Sequence, residues 1–104
     1  MHWESYRQSL EAGETVKFRP KGKSMEPKIN SGELVTVEPI KDYSKIKKGD
    51  IVFCKVNGIY YVHLVQSVQQ KADDFRFQIG NNKNHTNGII GKNQLFGKVT
   101  KVEK

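Results

Sequence analysis

Hydrophobic and polar residues along this chain follow two different periods. From Trp3 to Ala12 the residues are mostly good helix formers. Trp3, Tyr6 and Leu10 fall at helical spacing and Gly13 supplies a C-terminal stop, which predicts a short amphipathic helix. Thr15 to Arg19 then changes to a period of two, Val16 and Phe18 alternating with Lys17 and Arg19, the pattern of a half-buried strand that Pro20 and Gly22 end. Leu34 to Val37 predicts a second strand, which Pro39 either stops or assigns to a sheet edge. A lysine-rich loop closed by Gly49 follows. Asp50 to Val56 and Ile59 to Val68 are two β-rich runs joined by Asn57-Gly58, the signature of a type I′ hairpin. Beyond it the pattern predicts a polar connection over Gln69 to Asp74, a strand over Phe75 to Ile79, an asparagine-rich loop from Gly80 to Gly88, and a closing strand from Leu95 to Val102.

These elements describe a mainly β fold, a small barrel-like or folded-over sheet of about seven short strands with one short N-terminal helix. The 104 residues, 36% of them hydrophobic, suffice for one modest core, so residues 1–104 are expected to form a single domain with one site. Charge adds a tendency rather than a function. With 18 basic and 11 acidic residues the chain carries +7, with lysines at 17, 21, 23 and 28 and again at 41, 45, 47 and 48. A positive face of this kind favours acidic partners, nucleic acid among them. The clusters lack the arginines and helical spacing of a nucleic-acid surface, however, and a solvated surface is the ordinary reading. Cys54 is the only cysteine, so an internal disulfide is excluded and a reducing compartment fits. No run is long and apolar enough for a membrane helix, and Met1 to Gly13 lacks the apolar core of a secretory signal, which together predict a cytoplasmic location.

Four stretches carry candidate chemistry. The first is Gly22-Lys23-Ser24-Met25-Glu26-Pro27-Lys28-Ile29, followed by Gly32-Glu33 before a strand. The second and third are Lys48-Gly49-Asp50-Ile51-Val52-Phe53 and Tyr61-Val62-His63-Leu64-Val65. The fourth is Gly80 to Gly88 with Phe96-Gly97-Lys98-Val99 downstream. Taken in this order they resemble the boxes of the superfamily of signal peptidases and LexA-like self-cleaving repressors, over about Phe18 to Val102. The resemblance implies that fold, a serine peptidase activity on a peptide or protein substrate, Ser24 as nucleophile and Met25 and Pro27 as residues shaping the substrate site. It also places the general base at His63. Most bacterial relatives carry lysine there, whereas the branch typified by the endoplasmic-reticulum signal peptidase carries histidine, often followed by arginine. His63 therefore resembles that branch and Leu64 departs from it. The aspartates of the last box are missing; Asn81 and Asn87 stand in their approximate places as candidates for orienting the base.

The same chemistry follows from the residues themselves. A serine hydroxyl needs an adjacent base to accept its proton as it attacks a carbonyl. A neutral histidine can act near pH 7 without the large downward shift that a lysine requires. If Asn57-Gly58 is a two-residue turn, Val56 faces Ile59, Cys54 faces Tyr61 and Val52 faces His63, all on one sheet face, while Lys55 points away and is no substitute base. Cys54 becomes a diagonal neighbour of His63, although a lone strand cysteine is ordinarily a core residue. A histidine on a strand is likewise often just a buried ring hydrogen-bonded to backbone, and it is the upstream serine box that favours a site.

The other features are weaker. His2, His63, His85 and Cys54 have no metal-ligand spacing and there is no phosphate-binding glycine loop, so neither metal nor cofactor is expected. Asn84-His85-Thr86 fits a glycosylation pattern that a cytoplasmic chain would not use, and Ala12-Gly13 lies too near Ser24, across a strand, for easy cleavage in cis. Two functions follow: a serine endopeptidase that takes an extended segment beside Ser24 and His63, or a catalytically silent binding module of the same fold for a protein strand or nucleic acid.

Overall fold

A computed structural model describes residues 2–104. Helix α1 (Trp3–Glu11) is followed by seven strands: β1 (Val16–Phe18), β2 (Leu34–Pro39), β3 (Ile51–Val56), β4 (Ile59–Lys71), β5 (Asp74–Gly80), β6 (Thr86–Ile90) and β7 (Leu95–Glu103). Short 3-10 turns at Tyr43–Lys45 and Lys92–Gln94 lead into β3 and β7. Every strand pair is antiparallel, in the order β1-β2-β7-β3-β4-β5-β6. The mainly β architecture with one N-terminal helix matches the sequence expectation. The barrel does not: the sheet is open, with β1 and β6 at its two edges.

Strand periodicity found most of the elements, and the exceptions have local causes. Asn57 and Gly58 take left-handed conformations (φ 50° and 81°), so the turn closes as the sequence predicts and pairs Val56 with Ile59, Cys54 with Tyr61 and Val52 with His63. The polar connection expected over Gln69 to Asp74 is instead strand almost throughout. β4 continues to Lys71, β5 begins at Asp74, and Lys71 pairs with Asp74 across Ala72-Asp73. Ala72 carries the turn with φ 54°, a conformation that glycine or asparagine usually marks in sequence. The expected loop Gly80 to Gly88 loses its last residues to β6, because backbone pairing of Thr86, Gly88, Ile89 and Ile90 to β5 outweighs their turn-like composition. Pro39 does end β2, but the strand lies between β1 and β7 rather than at an edge.

Burial on both faces of the central strand β3 organises the core. Val52, Cys54 and Val56 pack on one side with Val65, Phe77, Ile79, Ile90 and Leu95, while Phe53 faces the other with Leu10, Phe18, Met25, Ile29, Val35, Val37 and Phe96. On that second side α1 lies against the sheet. The Trp3 ring stacks on Phe53 at 5.7 Å and on Tyr60 at 6.2 Å, and meets Phe18 edge-on at 5.5 Å. The Tyr60 hydroxyl donates to the Glu4 carboxylate, tying the helix to β4. Close approach explains Gly97: a Cβ there would sit 2.5 Å from Val37 Cγ1 and 3.2 Å from Leu10 Cδ1, where β7 runs beside β2 and against the helix.

The Ala72 turn gives a stability test. Ala72→Gly removes the Cβ clash of the left-handed conformation at an exposed site and is expected to raise unfolding stability by about 0.5–1 kcal/mol, measured by urea denaturation. A decrease would mean that this turn does not hold the conformation described.

Candidate active site

The nucleophile candidate sits on an irregular segment between β1 and β2. Gly22 N–H donates to Ser31 Oγ at 3.1 Å, Glu26 N–H to the Lys23 carbonyl at 3.3 Å and Ile29 N–H to the Met25 carbonyl at 3.0 Å, folding the segment into successive turns. Met25 and Ile29 anchor it through their side chains, 5% and 4% exposed in the core beneath α1. Asn82, at the start of the β5–β6 loop, holds it from the other side. Its N–H donates to the Ser24 carbonyl at 2.9 Å and its Nδ2 to the Glu26 carbonyl at 2.8 Å. The N–H groups of Ser24 and Met25 find no acceptor among the described residues.

His63 reaches this segment from β4. Ser24 Oγ lies 3.0 Å from His63 Nε2, and His63 Nδ1 lies 2.7 Å from Asn87 Oδ1 on β6. An amide oxygen can only accept, so Nδ1 carries the ring proton and Nε2 presents its lone pair to the Ser24 hydroxyl. The tautomer that a general base requires is therefore set by Asn87. The imidazole is 6% exposed and packs against Tyr61 with ring centroids 4.7 Å apart. Burial pushes its pKa below the ordinary 6.5; the Asn87 hydrogen bond pulls upward less strongly, and the nearby charge of His85 adds to the lowering. At neutral pH the ring is uncharged.

The residues singled out from sequence are thus distributed unevenly. Ser24, His63 and Asn87 form one hydrogen-bonded chain, and Met25 lines the adjoining cleft. Asn81 also lines it but makes no hydrogen bond to His63: its Oδ1 accepts from the N–H groups of Lys83 and His85 at 2.8 and 3.0 Å and shapes the loop. Pro27 is exposed and outside the cleft lining. Cys54 is fully buried, and burial alone pushes its thiol up to about 12, so it supplies no thiolate to the site. Lys55 faces away from His63, its ammonium 4.8 Å from the Tyr60 ring centroid.

Sequence reasoning passed over Asn82, which is one of five asparagines between residues 81 and 93, and treated Trp3 only as helix core. Trp3, Ile29, Tyr60 and Val62 join Met25 in walling a cleft of about 390 Å³ that opens on Ser24 and His63. The beginning of β4 forms part of that wall. Ile59, Tyr61 and His63 are paired with β3 in register, which turns the backbone N–H and C=O groups of Tyr60 and Val62 outward. β5 joins β4 only from Leu64 onward, so among the described residues no strand pairs with these outward groups.

A serine turn between β1 and β2 placed against a histidine on β4, within a seven-stranded antiparallel sheet, agrees with what family comparison finds: the Peptidase S24-like family matches residues 4–100. The chain belongs to that family. No curated protein matches it. Membership in the Peptidase S24-like family gives the shared fold and the broad peptidase type. The side-chain chain of Ser24, His63 and Asn87 is this protein's own geometry.

The electrostatic setting of His63 can be tested by titration. Asn87→Asp sets a carboxylate against Nδ1–H in place of a neutral amide and is expected to raise the His63 pKa by about one unit or more, followed by NMR of the ring Cε1–H. An unchanged midpoint would show that residue 87 does not contact the ring in solution.

Proposed function

We propose that this Peptidase S24-like protein is a serine endopeptidase in which Ser24 is the nucleophile and His63 the general base. The observation that carries this reading is the continuous path Ser24 Oγ, His63 Nε2, His63 Nδ1, Asn87 Oδ1, with separations of 3.0 and 2.7 Å at its two hydrogen bonds. As Ser24 Oγ attacks the scissile carbonyl carbon, its proton passes to Nε2. The resulting imidazolium is held by the Asn87 carbonyl, and Nε2 returns the proton to the leaving amine. Water then attacks the acyl-enzyme with His63 again as base, and Ser24 leaves with its proton restored. The developing oxyanion finds donors in the uncommitted N–H groups of Ser24 and Met25.

The substrate in this reading is a peptide segment in extended form. The outward backbone groups of Tyr60 and Val62 offer it a strand to pair with, directly before His63 in sequence. Met25 and its apolar neighbours receive side chains from such a segment. The histidine base in place of the lysine of most bacterial relatives supports kinship with the endoplasmic-reticulum branch, a finer affiliation than the family match carries.

Depressing the His63 pKa has a definite pH consequence. The neutral ring is the active form, so kcat/KM is expected to fall as pH drops through a value below 6.5 and to level off on the alkaline side of it. Ser24→Ala and His63→Ala are expected to lower peptide cleavage by a factor on the order of 10³ or more in proteins that circular dichroism shows to be folded. Mass spectrometry of a peptide mixture after incubation reads the new termini. Cleavage by either variant at the parent rate would remove that residue from the chemistry, and an acid limb lying above 6.5 would show that burial does not set the acidity of the His63 ring.

A further inference from the structure

We infer, resting on the peptidase reading above, that Asn82 is a positioning residue: it fixes the peptide unit between Ser24 and Met25, and so sets both the approach of Ser24 Oγ to His63 and the direction of the Met25 N–H. Two hydrogen bonds carry this. The Asn82 N–H donates to the Ser24 carbonyl at 2.9 Å and Asn82 Nδ2 to the Glu26 carbonyl at 2.8 Å, so the turn is held on both sides of Met25. The Ser24–Met25 peptide is trans, and in a planar trans unit the C=O and N–H point in opposite directions. A Ser24 carbonyl turned toward Asn82 therefore turns the Met25 N–H away from it, and that N–H has no acceptor among the described residues. The Met25 side chain, buried beneath α1, resists rotation of the same unit.

Such a grip sets a distance only if the loop that makes it is fixed relative to His63. Asn82 and Asn87 lie on one connection between β5 and β6 and its continuation: the first holds the Ser24 turn, the second holds His63 Nδ1. Gln66 ties this connection to β4. It is the extra residue of the bulge between Val65 and Ser67, on the strand that carries His63. Gln66 Nε2 donates to the His85 carbonyl at 3.3 Å and Gln66 Oε1 accepts from Thr86 Oγ1 at 2.8 Å. Its side chain crosses Gly80 so closely that a Cβ there would collide with Gln66 Nε2. Asn81 Oδ1 braces the loop from within by accepting from the N–H groups of Lys83 and His85. The strand that carries the base thus also holds the loop that grips the serine.

Asn82→Ala deletes the bond to the Glu26 carbonyl, and Asn82→Asp keeps the side chain's shape but puts an acceptor in the donor's place. Each is expected to lower kcat for peptide cleavage at least about tenfold while KM stays within about twofold. A second readout needs no turnover. In the parent, Ser24→Ala is expected to move the ¹⁵N resonance of His63 Nε2; in the Asn82→Ala background the same substitution is expected to move it at most about half as far, while the Nδ1 resonance set by Asn87 stays in place. Where Asn82→Ala does not fold, Asn82→Asp serves as the background. Parental kcat in both variants, or an Nε2 response to Ser24→Ala of equal size with and without Asn82, overturns the inference. If the parent cleaves no peptide, the peptidase reading fails by itself, and the Nε2 response alone decides whether Asn82 positions Ser24 on His63.

Discussion

The two-residue turn at Asn57-Gly58 is the constraint on which the site depends. Because side chains alternate across a strand, a register shift of one residue between β3 and β4 would carry His63 to the opposite face of the sheet. The left-handed turn fixes the pairing of Val52 with His63, and the burial of Val52, Cys54 and Val56 on one face and Phe53 on the other penalises any slip. The imidazole is thus positioned by the packing of a strand that itself contributes no chemistry.

The second requirement is a polar site that remains satisfied within an apolar setting. A buried imidazole with one unpaired nitrogen would be costly, and here both nitrogens are engaged, one by Asn87 and one by Ser24. The neutral amide at residue 87 orients the ring without charging it. Burial then dominates the ring's acidity and holds it in the basic form at neutral pH. An aspartate, which the resemblance to self-cleaving repressors and signal peptidases implies near this place, would favour the protonated ring instead. Asn82 performs the complementary task for the Ser24 turn through its two bonds to the carbonyls of Ser24 and Glu26.

The open sheet explains how so small a protein keeps part of a strand unpaired beside His63. A closed barrel would have paired every strand on both sides. With β1 and β6 as edges and β5 meeting β4 only from Leu64 onward, the first residues of β4 keep one side free beside His63. The helix covers the apolar face that this opening would otherwise leave bare, and Trp3 does so while walling the cleft.

The sequence by itself determined the elements whose signals are local: α1 from helical spacing, the hairpin from Asn57-Gly58, and the pairing of Val52 with His63 from the period of a strand. It also placed Ser24, His63 and Asn87 among the candidates through motif order. Only the tertiary structure separated Asn87 from Asn81, found the grip of Asn82, showed β4 running as far as a turn at Ala72 that no glycine marks, and left the sheet open. The division has a physical reason. Periodicity and turn chemistry act between neighbours in the chain, whereas the sequence separations of 39 from Ser24 to His63 and of 24 from His63 to Asn87 are closed by packing and by hydrogen bonds whose partners composition cannot rank.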